Sequence, residues 1–231
     1  MPDLSPEEWQ AIRLSLRVAL AGTLAALPLA ILVATLLARG RFFGRPLLNA
    51  IVHAPLVMPP VATGYLLLLA FGRQGPIGAV LDETFGIVFA FRWTGAALAA
   101  AVMGFPLMVR AIRLVMELAD PRLEAAAATL GASKPWILAT VTLPLALPGI
   151  VAGAILCFAK AMGEFGATIT FVASIPGETQ TLALAIYNLT QIPGGDAAAM
   201  RLTLISVVLS VLALLASEAF ARIVRRRVAV A

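Results

Sequence analysis

Long stretches without charge are the feature that most constrains this chain. No charged residue occurs between Arg17 and Arg39, and His53 is the only basic or acidic side chain between Arg45 and Arg73. About 20 mostly apolar residues suffice to cross the hydrocarbon core of a bilayer as a helix. Over 231 residues the composition is 61% hydrophobic and 13% charged, which leaves too few polar side chains to cover a water-soluble domain. The sequence therefore predicts an integral membrane protein.

The apolar segments divide the chain into about five membrane-spanning helices. We predict an all-α, polytopic transmembrane bundle that forms a single domain over residues 1–231. The predicted spans lie near residues 10–38, 46–72, 93–117, 145–172 and 202–221. Segment 179–192 is short for a span and carries several amides and hydroxyls, so we predict a re-entrant or surface helix there. Ser5, Pro6 and Glu8 form an N-cap pattern ahead of the first span.

The distribution of cations indicates the orientation, because Lys and Arg accumulate in cytoplasmic loops near the ends of spans. The loop at 39–45, the segment 110–144 and the C-terminal cluster Arg225–Arg227 hold most of the cations. We therefore expect the N-terminus outside and the C-terminus in the cytoplasm. The net charge of +5 then reflects topology and contact with anionic membrane lipid. No aromatic residue interleaves with the basic tail, which argues against nucleic-acid binding.

Residues that could support chemistry are few. The chain has one cysteine, Cys157, and one histidine, His53, which excludes a disulfide framework and argues against a multi-ligand metal site. We interpret Cys157 as a small packing residue, whereas His53 is either a hydrogen-bonding residue within the bundle or part of a transport path. The stretch at 131–134 lacks the spacing of a phosphate-binding loop. We therefore predict that the chain is not an enzyme and binds no metal or cofactor.

The long loop at 118–144 has the pattern of a short helix of its own. Asp120 can cap the helix, Pro121 fits its first position, alanines propagate it, and Gly131 can end it in the left-handed conformation. Ser133 and Pro135 can start a second helix that enters the membrane kinked or broken. An alanine surface lets a partner approach the backbone closely, which favours a docking element, and the alternative is a plain connecting helix.

The fourth predicted span carries two charges, which are costly in hydrocarbon unless they are paired or face a wet cavity. Lys160 and Glu164 are four residues apart and so share a helical face, and Gly163 and Gly166 permit close packing or a local break. Thr168 offers a hydroxyl to an oxyanion. Two interpretations remain open, namely a transport pathway and an ion pair buried for packing.

The loop at 118–144 resembles the EAA-type loop of the permease subunits of ABC importers. Gly131 and the run from Val141 to Pro144 fit the spacing of that loop, and the glutamate position falls on Ala125, one residue after Glu124. The resemblance implies that the loop is a cytoplasmic coupling helix that docks into a separate ATPase subunit. The coupling residues that it implies are Glu124, Ala125, Ala126, Ala127, Gly131, Leu143 and Pro144.

A narrower resemblance extends over nearly the whole chain. The turn Val57–Pro60, the segment from Gly163 to Phe171, the run Ile175–Thr179 and Ile192–Gly195 are similar to molybdate permease subunits. Sulfate permeases share the Gly-Glu-Phe-Gly core, so a sulfate or thiosulfate permease is the alternative, and tungstate is a further possible substrate. The residues assigned to the translocation path are Pro59, Lys160, Gly163, Glu164, Gly166 and Thr168.

The resemblance implies a complete importer in the bacterial cytoplasmic membrane. Its expected partners are a second copy of this chain, two ATP-binding subunits and a periplasmic oxyanion-binding protein, with ATP and Mg²⁺ held by the ATPase. About five helices are also too few to enclose a path comfortably, which favours a homodimer. A secondary transporter would show inverted repeats and unpaired intramembrane acids, and a membrane enzyme would need a catalytic set that is missing from this sequence.

Overall fold

The computed structural model describes residues 4–228, with side chains described to residue 216 and at 218 and 219. This part of the chain is helical and contains no strand. The helices are α1 (Pro6–Arg39), α2 (Arg45–Val57), α3 (Pro60–Phe71), α4 (Pro76–Phe85), α5 (Trp93–Leu118), α6 (Pro121–Thr129), α7 (Lys134–Ile137), α8 (Leu143–Met162), α9 (Gly166–Val172), α10 (Leu182–Thr190) and α11 (Asp196–Val228). A π-helical turn at Leu138–Thr142 joins α7 to α8.

The start of α1 has the predicted capping box. The backbone N–H of Glu8 donates to Ser5 Oγ at 3.1 Å, and the N–H of Ser5 donates to Glu8 Oε2 at 2.7 Å. These two bonds satisfy amide groups that otherwise have no partner at a helix start. Glu8 also forms an ion pair with Arg201 of α11 at 2.8 Å. The first and last long helices are therefore joined at the end of the bundle where both begin.

Small residues bring α1, α5 and α8 into close backbone contact. A Cβ on Gly22 of α1 would lie 2.6 Å from the carbonyl oxygen of Ala97 in α5, and a Cβ on Gly104 would lie 2.5 Å from Cys157 Sγ in α8. Close approach through glycine and alanine is a common mode of helix packing in membranes. Large apolar side chains such as Leu20 are exposed instead. Exposed apolar side chains are compatible with contact with lipid.

The contacts also fix the relative directions of these helices. Arg17 lies against Trp93 at one end of α1 and α5, and Thr35 contacts Met116 at the other end, so the two helices are parallel. Gly104 opposite Cys157 and Met108 opposite Gly153 make α8 antiparallel to α5. The chain must therefore return to the first end between α1 and α5, over the part that contains α2, α3 and α4.

The predicted second span, 46–72, is not one straight helix. It consists of α2 and α3, whose axes differ by 116° at Met58 and Pro59. Proline has no N–H to donate, and it disfavours helical backbone at the preceding residue, so Pro59 followed by Pro60 ends one helix and begins the next. Four helices are long and apolar enough to cross a membrane, or up to five with this bent pair, among the residues described.

The predicted fourth span also differs from the structure. The membrane-crossing segment begins earlier, at Lys134, and ends at Met162, whereas the prediction ran from 145 to 172. The predicted kink ahead of Pro144 is a π-helical turn in which the N–H of Leu143 reaches the carbonyl of Leu138. The wider turn accommodates the proline without interrupting the helix. The helix ends at Met162, and the chain continues into a separate helix, α9, at Gly166.

The last two predicted segments agree with the structure in type. Helix α10 lies within segment 179–192 and packs on α1, where the N–H of Leu182 donates to Ser15 Oγ at 2.6 Å. Helix α11 contains the predicted fifth span and begins earlier, at Asp196. The predicted cationic cluster Arg225–Arg227 falls outside the residues whose side chains the structure describes.

Candidate coupling and translocation sites

Helix α6 is the predicted short helix in the loop between the third and fourth spans. Asp120 caps it by accepting the N–H of Arg122 at 2.9 Å, and Gly131 just beyond it has a φ of +84°. No residue of α6 is buried. The helix therefore projects from the bundle with most of its surface open to a partner.

Three large apolar side chains within and just after α6 are exposed. Leu123 is 49% exposed, Leu130 is 89% exposed, and Trp136 at the start of the next helix is 63% exposed. Ala125 and Ala126 are also exposed, whereas Ala127 is partly covered. Exposed apolar residues around a small-residue helix are typical of a protein contact surface.

Glu124 does not belong to this exposed surface, although the resemblance implied a docking role for it. Its Oε1 accepts hydrogen bonds from Arg39 Nε at 3.1 Å and from Thr142 Oγ1 at 3.0 Å. Arg39 also donates to the carbonyl oxygen of Ala119 at 3.4 Å. Glu124 thus joins α6 to the end of α1 and to the π-helical turn before α8.

Leu143 and Pro144 lie at the start of α8, directly after Thr142, whose hydroxyl donates to Glu124 of α6. Leu143 packs against the buried cluster around Met108 and Ile112, and Pro144 is exposed. These two residues therefore lie where the loop that carries α6 joins the bundle. Of the implied coupling residues, Ala125, Ala126, Gly131 and Pro144 are exposed.

A second group of polar contacts, between α2 and the end of α5, was missed by the sequence analysis. Glu117 near the end of α5 forms ion pairs with Arg113 at 2.8 Å and with Arg45 at 3.7 Å, and Arg113 also donates to Asn49 Oδ1 at 2.9 Å. The spacing of Arg113 and Glu117 on one helix was visible in the sequence. Their contacts with α2 were not, because they depend on tertiary packing.

The break between α8 and α9 holds the two charges of the fourth predicted span. Lys160 Nζ lies 2.6 Å from Glu164 Oε2, and Glu164 Oε1 accepts the N–H of Ala167 at 3.0 Å. The Glu164 side chain is 2% exposed and the Lys160 side chain is 32% exposed. The helix ends at Met162, so the expectation that both residues share one helical face is wrong, and the pair forms across a helix end instead.

The two breaks in the predicted spans lie beside each other. A Cβ on Gly166 would lie 2.7 Å from Pro60 Cβ, and Gly64 in α3 lies directly against Ala167. Pro59 and Gly163 are exposed at these breaks, and nothing lies within 4 Å of a Cβ placed on Gly163. Thr168 is buried, with 1% of its surface exposed. The structure therefore brings Pro59, Lys160, Gly163, Glu164 and Gly166 into one region, with Thr168 behind it.

The one histidine and the one cysteine of the chain both make structural contacts within the bundle. His53 Nδ1 lies 2.8 Å from the carbonyl oxygen of Asn49, one turn earlier on α2. Cys157 is buried where α8 meets α5. No group of three or more His, Cys, Asp or Glu side chains suited to a metal occurs among the residues described.

Known proteins match this chain over nearly its full length. A family model described as binding-protein-dependent transport system inner membrane component matches residues 11–230. The molybdenum transport system permease protein ModB of Escherichia coli K12 is 56% identical over 224 residues, which are 97% of this chain and 98% of that protein. The ModB protein of Haemophilus influenzae is 55% identical over 91% of this chain and 92% of its own length.

More distant relatives and solved structures agree with this result. The sulfate transport system permease protein CysT of Salmonella typhimurium is 36% identical over 68% of this chain and 56% of that protein. A bacterial ABC transporter involved in import of the acidic polysaccharide alginate has a TM-score of 0.74 at 18% identity, over 95% of this chain and 80% of that chain. At this identity the structural match shows the fold.

The fold and the full-length matches define a helical permease of the ABC transporter class. The chain belongs to the family of binding-protein-dependent transport system inner membrane components. It is a multi-pass inner-membrane protein and the membrane-spanning subunit of a transport system.

Proposed function

We propose that this chain is the permease subunit of an importer that moves molybdate into the cytoplasm. The observation that carries the proposal is 56% identity to a molybdenum permease over 97% of the chain. The match to a sulfate permease covers 68% of the chain at 36% identity. Sulfate and molybdate are both tetrahedral dianions, so sulfate or thiosulfate is the alternative substrate.

The proposed importer contains two copies of this chain and two ATP-binding subunits. ATP and Mg²⁺ bind to the ATPase subunits, and this chain binds no cofactor. Helix α6 docks on the ATPase through Ala125, Ala126 and Gly131, supported by its lack of buried residues and by exposed Leu123 and Leu130. A surface of this kind gains stability when a partner covers it.

The transport path in this proposal runs beside the two helix breaks. Lys160 supplies a positive charge that offsets part of the cost of dehydrating a dianion, and Glu164 keeps the site from holding the anion too tightly. Exposure of Pro59 and Gly163 supports a path on that side of the bundle. Movement of α6 on ATP binding is coupled to opening of the spans, which gives alternating access.

The proposed orientation puts the start of α1 outside and α6 in the cytoplasm. The cations near α6, including Arg39, Arg41 and Arg45, support this direction. A periplasmic oxyanion-binding protein then delivers substrate at the end of the bundle where α1, α5 and α11 begin.

Reconstitution tests the function directly. The chain is assembled with an ATPase subunit and an oxyanion-binding protein and incorporated into vesicles. Uptake of molybdate, tungstate and sulfate is measured with ATP supplied to the ATPase side. We expect ATP-dependent molybdate uptake that sulfate inhibits weakly. Faster sulfate uptake with no molybdate uptake would establish the alternative, and uptake without ATP would exclude the ABC mechanism.

A further inference from the structure

A cleft of about 580 Å³ lies on the side of the bundle between α1, α2 and α5. Its walls are one face of α1, formed by Ala21, Gly22, Ala25, Ala26 and Leu29, and one face of α5 between Trp93 and Phe105, and three residues of α2, namely Ile51, Val52 and Pro55, also line it. Among these lining residues, Trp93 and Thr94 alone have a side-chain donor or acceptor atom. We name this space the lateral cleft. It is separate from the helix breaks proposed as the transport path.

The length of the lateral cleft matches one leaflet of a bilayer. From Trp93 to Phe105 the α5 helix rises about 18 Å at 1.5 Å per residue. One leaflet contributes about 15 Å of hydrocarbon. Both polar lining residues are at the Trp93 end, where α5 begins. The cleft therefore has a polar end at the membrane surface and an apolar end near the bilayer centre.

A cation lies at the polar end of the cleft. The guanidinium of Arg17 stacks 3.7 Å from the centre of the Trp93 ring, one turn before the cleft-lining Ala21. Arg17 is exposed and forms no ion pair with any side chain that the structure describes. Arg92, the residue before α5, is exposed and likewise has no ion pair within the described residues. Both charges are therefore available to an anion at the membrane surface.

We propose that the lateral cleft binds one acyl chain of an anionic phospholipid whose phosphate lies at Arg17. The apolar walls accept the chain, the Trp93 ring lies at the interface as tryptophan does in many membrane proteins, and the cations select the headgroup.

The charge at the polar end favours a lipid over a helix of a second copy. The guanidinium of Arg17 lies beside the Trp93 ring and has no ion pair among the described side chains. An anionic phospholipid brings a phosphate to this cation, whereas an apolar membrane-spanning helix brings no such charge.

Quenching of Trp93 fluorescence by brominated lipid tests the site. The chain has three tryptophans, so Trp9→Phe and Trp136→Phe leave Trp93 as the reporter. The full chain is placed in nanodiscs that contain a minor fraction of either dibrominated phosphatidylglycerol or dibrominated phosphatidylcholine. Each intensity is normalised to nanodiscs with the unbrominated lipid of the same headgroup. We expect stronger quenching by phosphatidylglycerol.

Variants separate the headgroup contact from the chain contact. Arg17→Gln should weaken phosphatidylglycerol association about five-fold, the effect of one cation near a membrane surface, whereas Arg17→Lys should retain most of it. Arg13→Gln is the matched control, because Arg13 lies one turn earlier over Trp9. Ala25→Phe should fill the cleft and remove quenching by both lipids, and Leu24→Phe on another face of α1 should not.

Three results would overturn the proposal. Equal quenching by the two lipids in the parent chain would show that the site does not select an anionic headgroup. Unchanged quenching in Ala25→Phe would mean that the acyl chain lies elsewhere. Protection of Trp93 from both lipids would mean that protein covers the cleft, as a second copy would. Size-exclusion profiles of each variant confirm that the chain is folded.

Discussion

Two glutamate ion pairs in this molecule have opposite surroundings. Glu124 meets Arg39 at the projecting end of the bundle, where both side chains are about a quarter exposed, at 24% and 26%. Glu164 is 2% exposed, although its partner Lys160 is 32% exposed. Water can replace a lost cation at Glu124 but not at the buried Glu164, so loss of the cation costs more stability at Glu164. The pair of Arg39 and Glu124 can therefore break and re-form when α6 moves relative to α1, whereas the pair of Lys160 and Glu164 is suited to holding the end of α8 in place.

The largest expected effect is at Lys160. Lys160→Met leaves the buried Glu164 without a cation, which should cost about 3 kcal/mol or more of stability. The double variant Lys160→Met with Glu164→Gln removes both charges and should regain that stability. Thermal unfolding of the detergent-solubilised chain measures both.

Uptake separates the role of this pair from its stability. If Lys160 lies on the transport path, the double variant should be stable and remain slow in molybdate uptake. Wild-type uptake by the double variant would assign the pair to packing alone.

A smaller effect is expected at Gly131, where φ is +84°. Gly131→Val puts a β-branched residue in the left-handed region, which should cost about 1–2 kcal/mol locally and misdirect α6. Gly131→Asn is the matched control, because asparagine tolerates this conformation. Co-purification with the ATPase subunit should fall for valine and persist for asparagine. Equal co-purification of both variants would show that docking does not depend on the left-handed conformation at Gly131.

The smallest effect on stability is expected at the partly exposed pair of Arg39 and Glu124. Arg39→Gln and Glu124→Gln should each change stability by about 0–1 kcal/mol, since water reaches both side chains and pairs in contact with water contribute little. If Glu124 links α6 to α1, both variants should raise the ATP hydrolysed per molybdate transported while the complex still assembles. Arg41→Gln is the control, because Arg41 is exposed and has no ion pair with the described side chains.

The outcome for Arg39 decides between two roles for Glu124. A direct contact of Glu124 with the ATPase predicts that Glu124→Gln weakens assembly and Arg39→Gln does not. An internal link predicts the same change in coupling ratio from either variant. A normal ratio in both would exclude the internal link.

Local patterns in the sequence predicted the parts of the fold that depend on neighbouring residues. The capping box at Ser5, the short helix after Asp120 and the left-handed Gly131 all follow from contacts within a few residues. Hydrophobicity also located the long apolar helices, although the bounds of the fourth predicted span were wrong. It did not reveal the 116° bend at Pro59, because a broken apolar segment has the same composition as a straight one.

Contacts between distant segments lay beyond the sequence analysis. Glu124 was assigned to an ATPase partner because its neighbours fit a docking loop, yet its carboxylate meets Arg39 from the end of α1. The approach of Gly166 to Pro60 likewise depends on how α3 lies on α9. One sequence gives residue types at each site, but only tertiary packing determines which of them meet.

The close packing of α1, α5 and α8 has a mechanical consequence. Several of their closest contacts occur at glycine, as at Gly22, Gly104 and Gly153. Glycine has no rotamers to exchange, so at these positions a displacement of one helix is passed directly to its neighbour. We therefore expect a force applied at the end near Arg39 to move these three helices together.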